Sequence, residues 1–335
     1  MIDSEKQFSI LAPLRLSLAG GGTDVEPFAS QAGSRILNFS INLDVEAAVR
    51  ARPSQEKKVT VRIISGNQTE ADSPFSQSLA DSLQKRLLKP RDIQIQLTNP
   101  VGPGSGLGTS SAMILAARIA IDTVDEKSID SHQIIDDSFL LERSEMSIDG
   151  GFQDFYPAMF GGMNWITRSP GNSPCQREAI ELPPAIHDLI SAKMYCIELG
   201  IPRNGGEIIK DQVSRLRNPK SSTRDSLLAQ LEIASKIRDA MQSDDVSGIL
   251  TLLEESYINK KNYSPLISTP TIDAIEATLT KLGARGIKVS GAGGGGHMFG
   301  FFPNGIPSGI TTQLPTHVRH VPCSMTKAGW RYVER

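Results

Sequence analysis

The chain holds 335 residues with 35 Lys+Arg against 37 Asp+Glu, a formal charge of −2. At roughly 150 residues per domain this is a length for about two domains, and the charge balance excludes a general nucleic-acid binder, whose phosphate contacts need a basic excess. With 39% hydrophobic residues, 29 Gly and only 3 Cys, the composition excludes disordered, collagen-like and disulfide-framework classes and suits a reducing compartment.

The opening MIDSEKQFSI lacks a basic region and an apolar core, so no secretory leader is expected. The most apolar run, AMILAARIAI, contains Arg118 and falls well short of the roughly 20 residues of a membrane span. A cytoplasmic protein with no membrane and no nucleic-acid partner is the expectation; a homodimer is left open. ILAPLRLSL at 10–18 alternates apolar and polar residues after Pro13 and predicts a strand. ILNFSINLDVEAAVRA, VTVRII at 59–64 and IQIQL at 93–97 predict further strands. SAMILAARIAIDTV is apolar nearly all round and predicts a buried helix; 133–146 predicts another.

TRSPGNSP at 167–174 is the expected boundary, dividing the chain into domains 1–172 and 173–335. MYCIELG at 194–200 begins a second strand set, and 204–218 and 224–242 predict helices with charged faces. Thr269 followed by Pro270 predicts a helix start, and Gly283 its C-terminal stop. The mixed order of strands and helices predicts an α+β protein.

Three glycine-rich stretches punctuate this pattern: AGGGTD at 19–24, GPGSGLGTSS at 102–111 and GAGGGG at 291–296. The second joins a strand to the buried helix. Closely spaced glycines let backbone N–H groups converge, and a helix N-terminus adds partial positive charge, which together make a phosphate cradle. Ser110 and Ser111 can cap the helix or touch a metal. No Lys follows these glycines, so this is not a P-loop, and the spacing of glycines and acids is not that of a dinucleotide-binding turn.

PVGPGSGLGTSSA resembles the second motif of the GHMP small-molecule kinases. APLRLSLAGGGTD at 12–24 resembles their first motif and KVSGAGGGGHMFGFF at 288–302 their third, in the same order. AGGGTD and GGFQDFYPAMFGGMNW at 150–165 are most similar to the heptose phosphate kinase and fucokinase subgroup. The resemblance implies a two-domain GHMP kinase fold. Its N-terminal domain is like domain 2 of ribosomal protein S5, and its C-terminal domain is ferredoxin-like. It also implies ATP and Mg²⁺ as cofactors and a sugar or sugar phosphate as acceptor. The implied activity is phosphorylation of D-glycero-D-manno-heptose 7-phosphate at C1, toward nucleotide-activated heptose and surface polysaccharide. A kinase for fucose, galactose or a uronic acid is the first alternative. A non-catalytic sugar and ATP sensor is the second.

Residue by residue, the resemblance makes Asp154 the general base and Arg15 its charge partner. Gly102, Pro103, Gly104, Ser105, Gly106, Leu107, Gly108, Thr109, Ser110 and Ser111 form the ATP loop. Ser111 and Glu142, twelve residues before Asp154, hold the metal, with Glu145 competing for the role. Gly21, Gly22, Thr23 and Asp24 meet the sugar, unless Thr23 and Asp24 merely form an Asx-type turn. Gly151, Gln153 and Gly162 shape its floor, while Gly293 and Gly294 approach it, or the nucleotide-phosphate region, closely. Arg203, Lys260 and Lys261 are candidates for an acceptor phosphate. Phe152 departs from the subgroup's Lys. His297 is given no chemistry.

Overall fold

In the computed structural model, residues 5–65, 68–70, 73–171, 173–201, 203 and 205–335 are described. Strand β1 (Lys6–Ala19) buries Phe8, Ile10, Ala12, Leu14, Leu16 and Leu18, the period-two set that the alternation demands. A short helix α1 (Phe28–Ala32) leads to β2 (Ser34–Pro53), which pairs antiparallel with β1. Their register shifts between Pro13 and Arg15, where proline removes a ladder donor. Beyond that irregularity the pairing resumes with Arg15 opposite Ser40, and the Arg15 N–H donates to Leu107 O at 2.9 Å, in the second glycine loop.

Strands β3 (Lys58–Ser65) and β4 (Gln68–Glu70), helix α2 (Pro74–Arg86) and strand β5 (Arg91–Asn99) follow. Helix α3 (Thr109–Val124) is buried almost all round and packs on β1 and β2. Its two internal charges, Arg118 and Asp122, neutralise each other at 2.7 Å. Helix α4 (Ser131–Leu140) runs into a π-helical turn, Leu141–Glu145. Then come α5 (Phe155–Phe160), β6 (Met163–Arg168), β7 (Gln176–Ile180), α6 (Pro184–Ala192) and β8 (Met194–Glu198). Helices α7 (Gly205–Leu216), α8 (Thr223–Gln242), α9 (Val246–Lys261) and α10 (Pro270–Lys281) precede β9 (Arg285–Val289) and β10 (His297–Phe301). Two short strands, β11 (Arg319–His320) and β12 (Arg331–Glu334), close the chain.

The first sheet has the order β12-β1-β2-β5-β3-β4, with β6 on β2 and β7 on β6. Among the described residues only β3 and β5 run parallel in it. The second sheet has the order β11-β8-β10-β9. At α10 the expected start is present: Thr269 Oγ1 accepts from Ile272 N at 3.3 Å and Pro270 opens the helix.

The expected division at 172/173 falls inside the first sheet. Strands β6 and β7, on either side of that position, pair antiparallel as neighbours. Strand β12 returns from the C-terminus to pair with β1 and cover its open edge. One continuous apolar core also runs from Phe8 through Ile237 and Leu253 to Phe301. Among the described residues no helix is long and apolar enough to cross a membrane.

Candidate active site

The phosphate loop leaves β5 and enters α3. Gly104, Gly106 and Gly108 have φ of +70°, +77° and +79°, the left-handed region that L side chains avoid. Its carbonyls are held from outside. Arg15 Nη1 and Ser290 Oγ donate to Gly106 O at 2.5 and 2.8 Å, and Arg203 Nε donates to Gly104 O at 2.6 Å. Carbonyls tied in this way leave the loop amides and the start of α3 available to an anion. They border a cavity of about 260 Å³ whose charged lining is Arg15, Asp24, Glu142, Arg143, Asp149, Asp154 and Arg203, with Ser111 beside Glu142.

Within the loop, Gly104, Ser105, Gly106, Gly108, Thr109, Ser110 and Ser111 line this cavity. Gly102 and Pro103 instead face a second space behind the loop, bounded by Glu198, His297 and Arg319. Leu107 is fully buried, and its carbonyl accepts from Arg15 N at 2.9 Å. These three therefore shape the loop from behind or within.

Asp154 stands at the start of α5, without capping it. Arg15 grips it bidentately, Nε to Oδ1 at 2.6 Å and Nη2 to Oδ2 at 2.8 Å. The guanidinium is 5% exposed and the carboxylate 20%, so the acid keeps a path to the cavity. A planar fork on a carboxylate fixes the orientation of both groups.

Glu142 lies in the π-helical turn and is 2% exposed. Ser111 Oγ sits 3.2 and 3.3 Å from its two oxygens, and Arg143 Nη2 3.2 Å from Oε2. Burial pushes its carboxyl up to about 7; the charge of Arg143 opposes this and that of Asp154 adds to it. Glu145 is turned away and pairs with Arg86 at 2.7 Å. Of the two competing glutamates, only Glu142 faces the cavity.

The first glycine loop divides its two polar residues. Asp24 lines the cavity and accepts from Gln153 N at 3.2 Å and from Gln153 Nε2 at 3.1 Å. Burial raises its pKa, and the charge of Asp154 adds to the rise. Thr23 does not reach the cavity: it is fully buried and its hydroxyl donates to Gly20 O at 2.7 Å. Gly22 lines the cavity, whereas Gly21 stands behind it, near Ser17 and Gln153. Gly151 leaves Asp24 its space, because a Cβ there would lie 1.7 Å from Asp24 Oδ2. Gly151→Ala should therefore displace Asp24 and cost about 1–3 kcal/mol, an overpacking penalty. Urea unfolding measures the stability, and the Michaelis constant for the acceptor should rise with it.

Around the third loop the expectations are redistributed. Gly291 and Ala292 line the cavity. Gly293 and Gly294 do not; a Cβ on them would strike Ile267 at 2.8 Å and Ile208 at 2.6 Å, so their smallness serves packing on the neighbouring chain. Gly162 lies elsewhere, its N–H bonded to Thr326 O at 2.9 Å. Arg203 lines the cavity and also donates from Nη1 to Gly293 O at 2.6 Å, tying the second and third loops together. Burial pushes its guanidinium down to about 10, with the charge of Arg15 adding to the shift. Lys261 points away to Asp273 and Glu276, and Lys260 is buried outside the cavity. Phe152 is buried against Tyr156. His297 holds Ser105 O at 2.8 Å through Nδ1, a structural role.

Sequence reasoning missed Arg143. Its Nη2 donates to Gly151 O at 2.9 Å and its Nη1 to Ile148 O, fastening the 148–151 loop that carries Gly151 to Glu142. Its place directly after Glu142 was the available signal. Gly205 and Gly206, at the start of α7, also line the cavity and were passed over as ordinary helix residues.

Comparison with known proteins matches this geometry to a family. The chain matches the GHMP kinases N terminal domain over residues 75–162 and the GHMP kinases C terminal domain over 237–316. It is 26% identical over 311 residues to D-glycero-alpha-D-manno-heptose 7-phosphate kinase of Campylobacter jejuni, covering 86% of this chain and 87% of that protein. In structure it is similar to a D-glycero-D-manno-heptose 1-phosphate kinase from Bacteroides thetaiotaomicron, with TM-score 0.74, 22% identity, and 98% and 99% of the two chains covered. Lactococcus lactis galactokinase, solved with galactose, shares the fold at TM-score 0.74 and 14% identity over 98% of this chain and 95% of that one. The chain belongs to the GHMP kinases, phosphotransferases that use ATP and take an alcohol group as acceptor.

Proposed function

We propose that the protein transfers the γ-phosphoryl group of ATP to C1 of D-glycero-D-manno-heptose 7-phosphate, yielding the 1,7-bisphosphate for nucleotide-activated heptose and surface polysaccharide. The observation that carries the reading is the Arg15–Asp154 fork beside the phosphate loop. A sugar hydroxyl is a weak nucleophile, and transfer rests on positioning, charge neutralisation and a group that accepts the hydroxyl proton. Asp154 takes that proton while Arg15 holds the carboxylate aligned. The loop amides and the start of α3 bind the phosphates of ATP. Asp24, held by Gln153, orients the acceptor hydroxyls.

The donor set suits a magnesium ion. Mg²⁺ commonly takes one or two protein oxygens and completes its shell from phosphates and water. Glu142 and the Ser111 hydroxyl supply such a pair, and among the described residues no cluster of three ligating side chains competes with it. The ion would neutralise charge on the ATP phosphates, and it would favour the ionised form of Glu142. Arg203 and the first amides of α7 border the same cavity and are suited to the acceptor's own phosphate. The reading places the protein in the cytoplasm and leaves a homodimer open.

One observation favours a second acceptor class. Phe152, buried where the subgroup carries Lys, brings no cation to that wall. An unphosphorylated sugar such as fucose or galactose fits a site with one fewer charge. ATP turnover should be measured across a panel of sugars and sugar phosphates, with phosphorus NMR of the product. A new anomeric phosphate on the heptose 7-phosphate is the expected result. Far better turnover of free fucose or galactose would discard the heptose assignment and keep the kinase.

A further inference from the structure

Two lysines outside the cavity hold the loops that build it. Lys260, near the end of α9, is 7% exposed, and its Nζ donates to Gly291 O at 2.5 Å and Val289 O at 3.3 Å. Lys288, in β9, is 3% exposed and donates to Leu18 O at 2.7 Å. Among the described residues neither amine is bonded to a carboxylate. Burial lowers both pKa values, Lys288 to about 7, with the nearby charge of Arg15 contributing. A buried amine is costly unless its donors are satisfied, and here the acceptors are backbone carbonyls at the roots of two glycine loops.

The two carbonyl sets lead to different parts of the site. Gly291 packs directly on the phosphate loop: a Cβ there would lie 2.8 Å from Gly106 Cα. The intervening Ser290 donates to Gly106 O at 2.8 Å. Lys260 thus holds residues 289–291 against the wall of the nucleotide cradle. Leu18 lies on β1 between Arg15 and the first glycine loop, within the second register shift of that strand. Lys288 thus holds the strand segment that carries Arg15 toward Asp154.

We propose that Lys260 and Lys288 are positioning residues for phosphoryl transfer, Lys260 acting through Gly291 on nucleotide binding and Lys288 acting through Leu18 on the Arg15–Asp154 pair. The proposal rests on the kinase reading, but its nucleotide arm needs no acceptor. Each lysine is replaced by Met, which fills similar space without a donor. Mg·ATP affinity is read by calorimetry and kcat by ADP release with the best acceptor, or with water where no acceptor turns over. Loss of one well-made hydrogen bond corresponds to roughly a tenfold change.

Lys260→Met is expected to weaken Mg·ATP binding about tenfold with kcat within about threefold, and Lys288→Met to lower kcat about tenfold with affinity within about threefold. Urea unfolding checks that each variant is folded. Where a Met variant does not fold, the Gln variant, with N–H donors on a shorter arm, replaces it and is expected to show the same split at smaller amplitude. Wild-type constants in both variants, or equal loss of kcat and affinity in each, overturn the proposal. Failure of the wild-type protein to bind Mg·ATP would instead overturn the kinase reading, a result distinguishable from either.

Discussion

Replacing Asp154 by Asn is expected to lower turnover by more than about a hundredfold while Mg·ATP affinity stays near the wild-type value. Asn keeps the shape of the side chain but loses the basic oxygen that takes the hydroxyl proton. It also leaves Arg15, gripped by two bonds to the carboxylate, with a neutral partner. Gly106 O continues to accept from Arg15, so the phosphate loop keeps one of its outer ties. Steady-state rates give the first quantity and calorimetry the second. Near-normal turnover would remove Asp154 as the base. Turnover absent from the wild-type protein with every sugar, despite nucleotide binding, would bring the sensor reading forward.

Glu142→Gln is expected to abolish or severely reduce Mg·ATP-dependent turnover and, at the same time, to stabilise the ligand-free protein at alkaline pH. The folded carboxyl titrates near 7 against 4.5 for the unfolded chain, because burial disfavours its ionised form. A raised carboxyl pKa means that the folded state binds the proton more tightly. Its contribution is therefore fully present below pH 4.5 and is lost as pH rises through 7. The shift corresponds to roughly 3 kcal/mol at most. The stability difference between Glu142→Gln and wild type should be near zero at acid pH, grow between the two pKa values and level off above. Urea unfolding across this range measures it. Asp24, also raised by burial, acts in the same direction in both proteins and cancels in the comparison. Addition of Mg·ATP should shrink the difference, because an ion beside Glu142 favours the ionised form. A difference independent of pH would show that the carboxylate is not held in this strained environment. The expected pH-dependent difference, by contrast, would show a site that is destabilising without its ligand, as sites built for charge often are.

Sequence alone marks the three glycine loops, because only glycine occupies their left-handed backbone without strain, as at Gly104, Gly106 and Gly108. It determined the alternating core of β1, the all-round burial of α3 and the Thr269–Pro270 start of α10, since these are local consequences of side-chain spacing and capping. Asp154, Arg15 and Ser111 were legible through their motifs. Tertiary structure alone decided between Glu142 and Glu145, because the π-helical turn rotates one toward Ser111 and the other toward Arg86. It separated Asp24 from Thr23, adjacent residues that the turn sends to opposite sides. It removed Gly293 and Gly294 from the cavity and placed β7 and β12 in the first sheet, across the expected boundary. The ties from Lys260, Lys288 and Arg203 join segments remote in sequence through backbone carbonyls. Every residue except proline has the same N–H and C=O groups, so no side-chain pattern marks which carbonyl such a cation will reach.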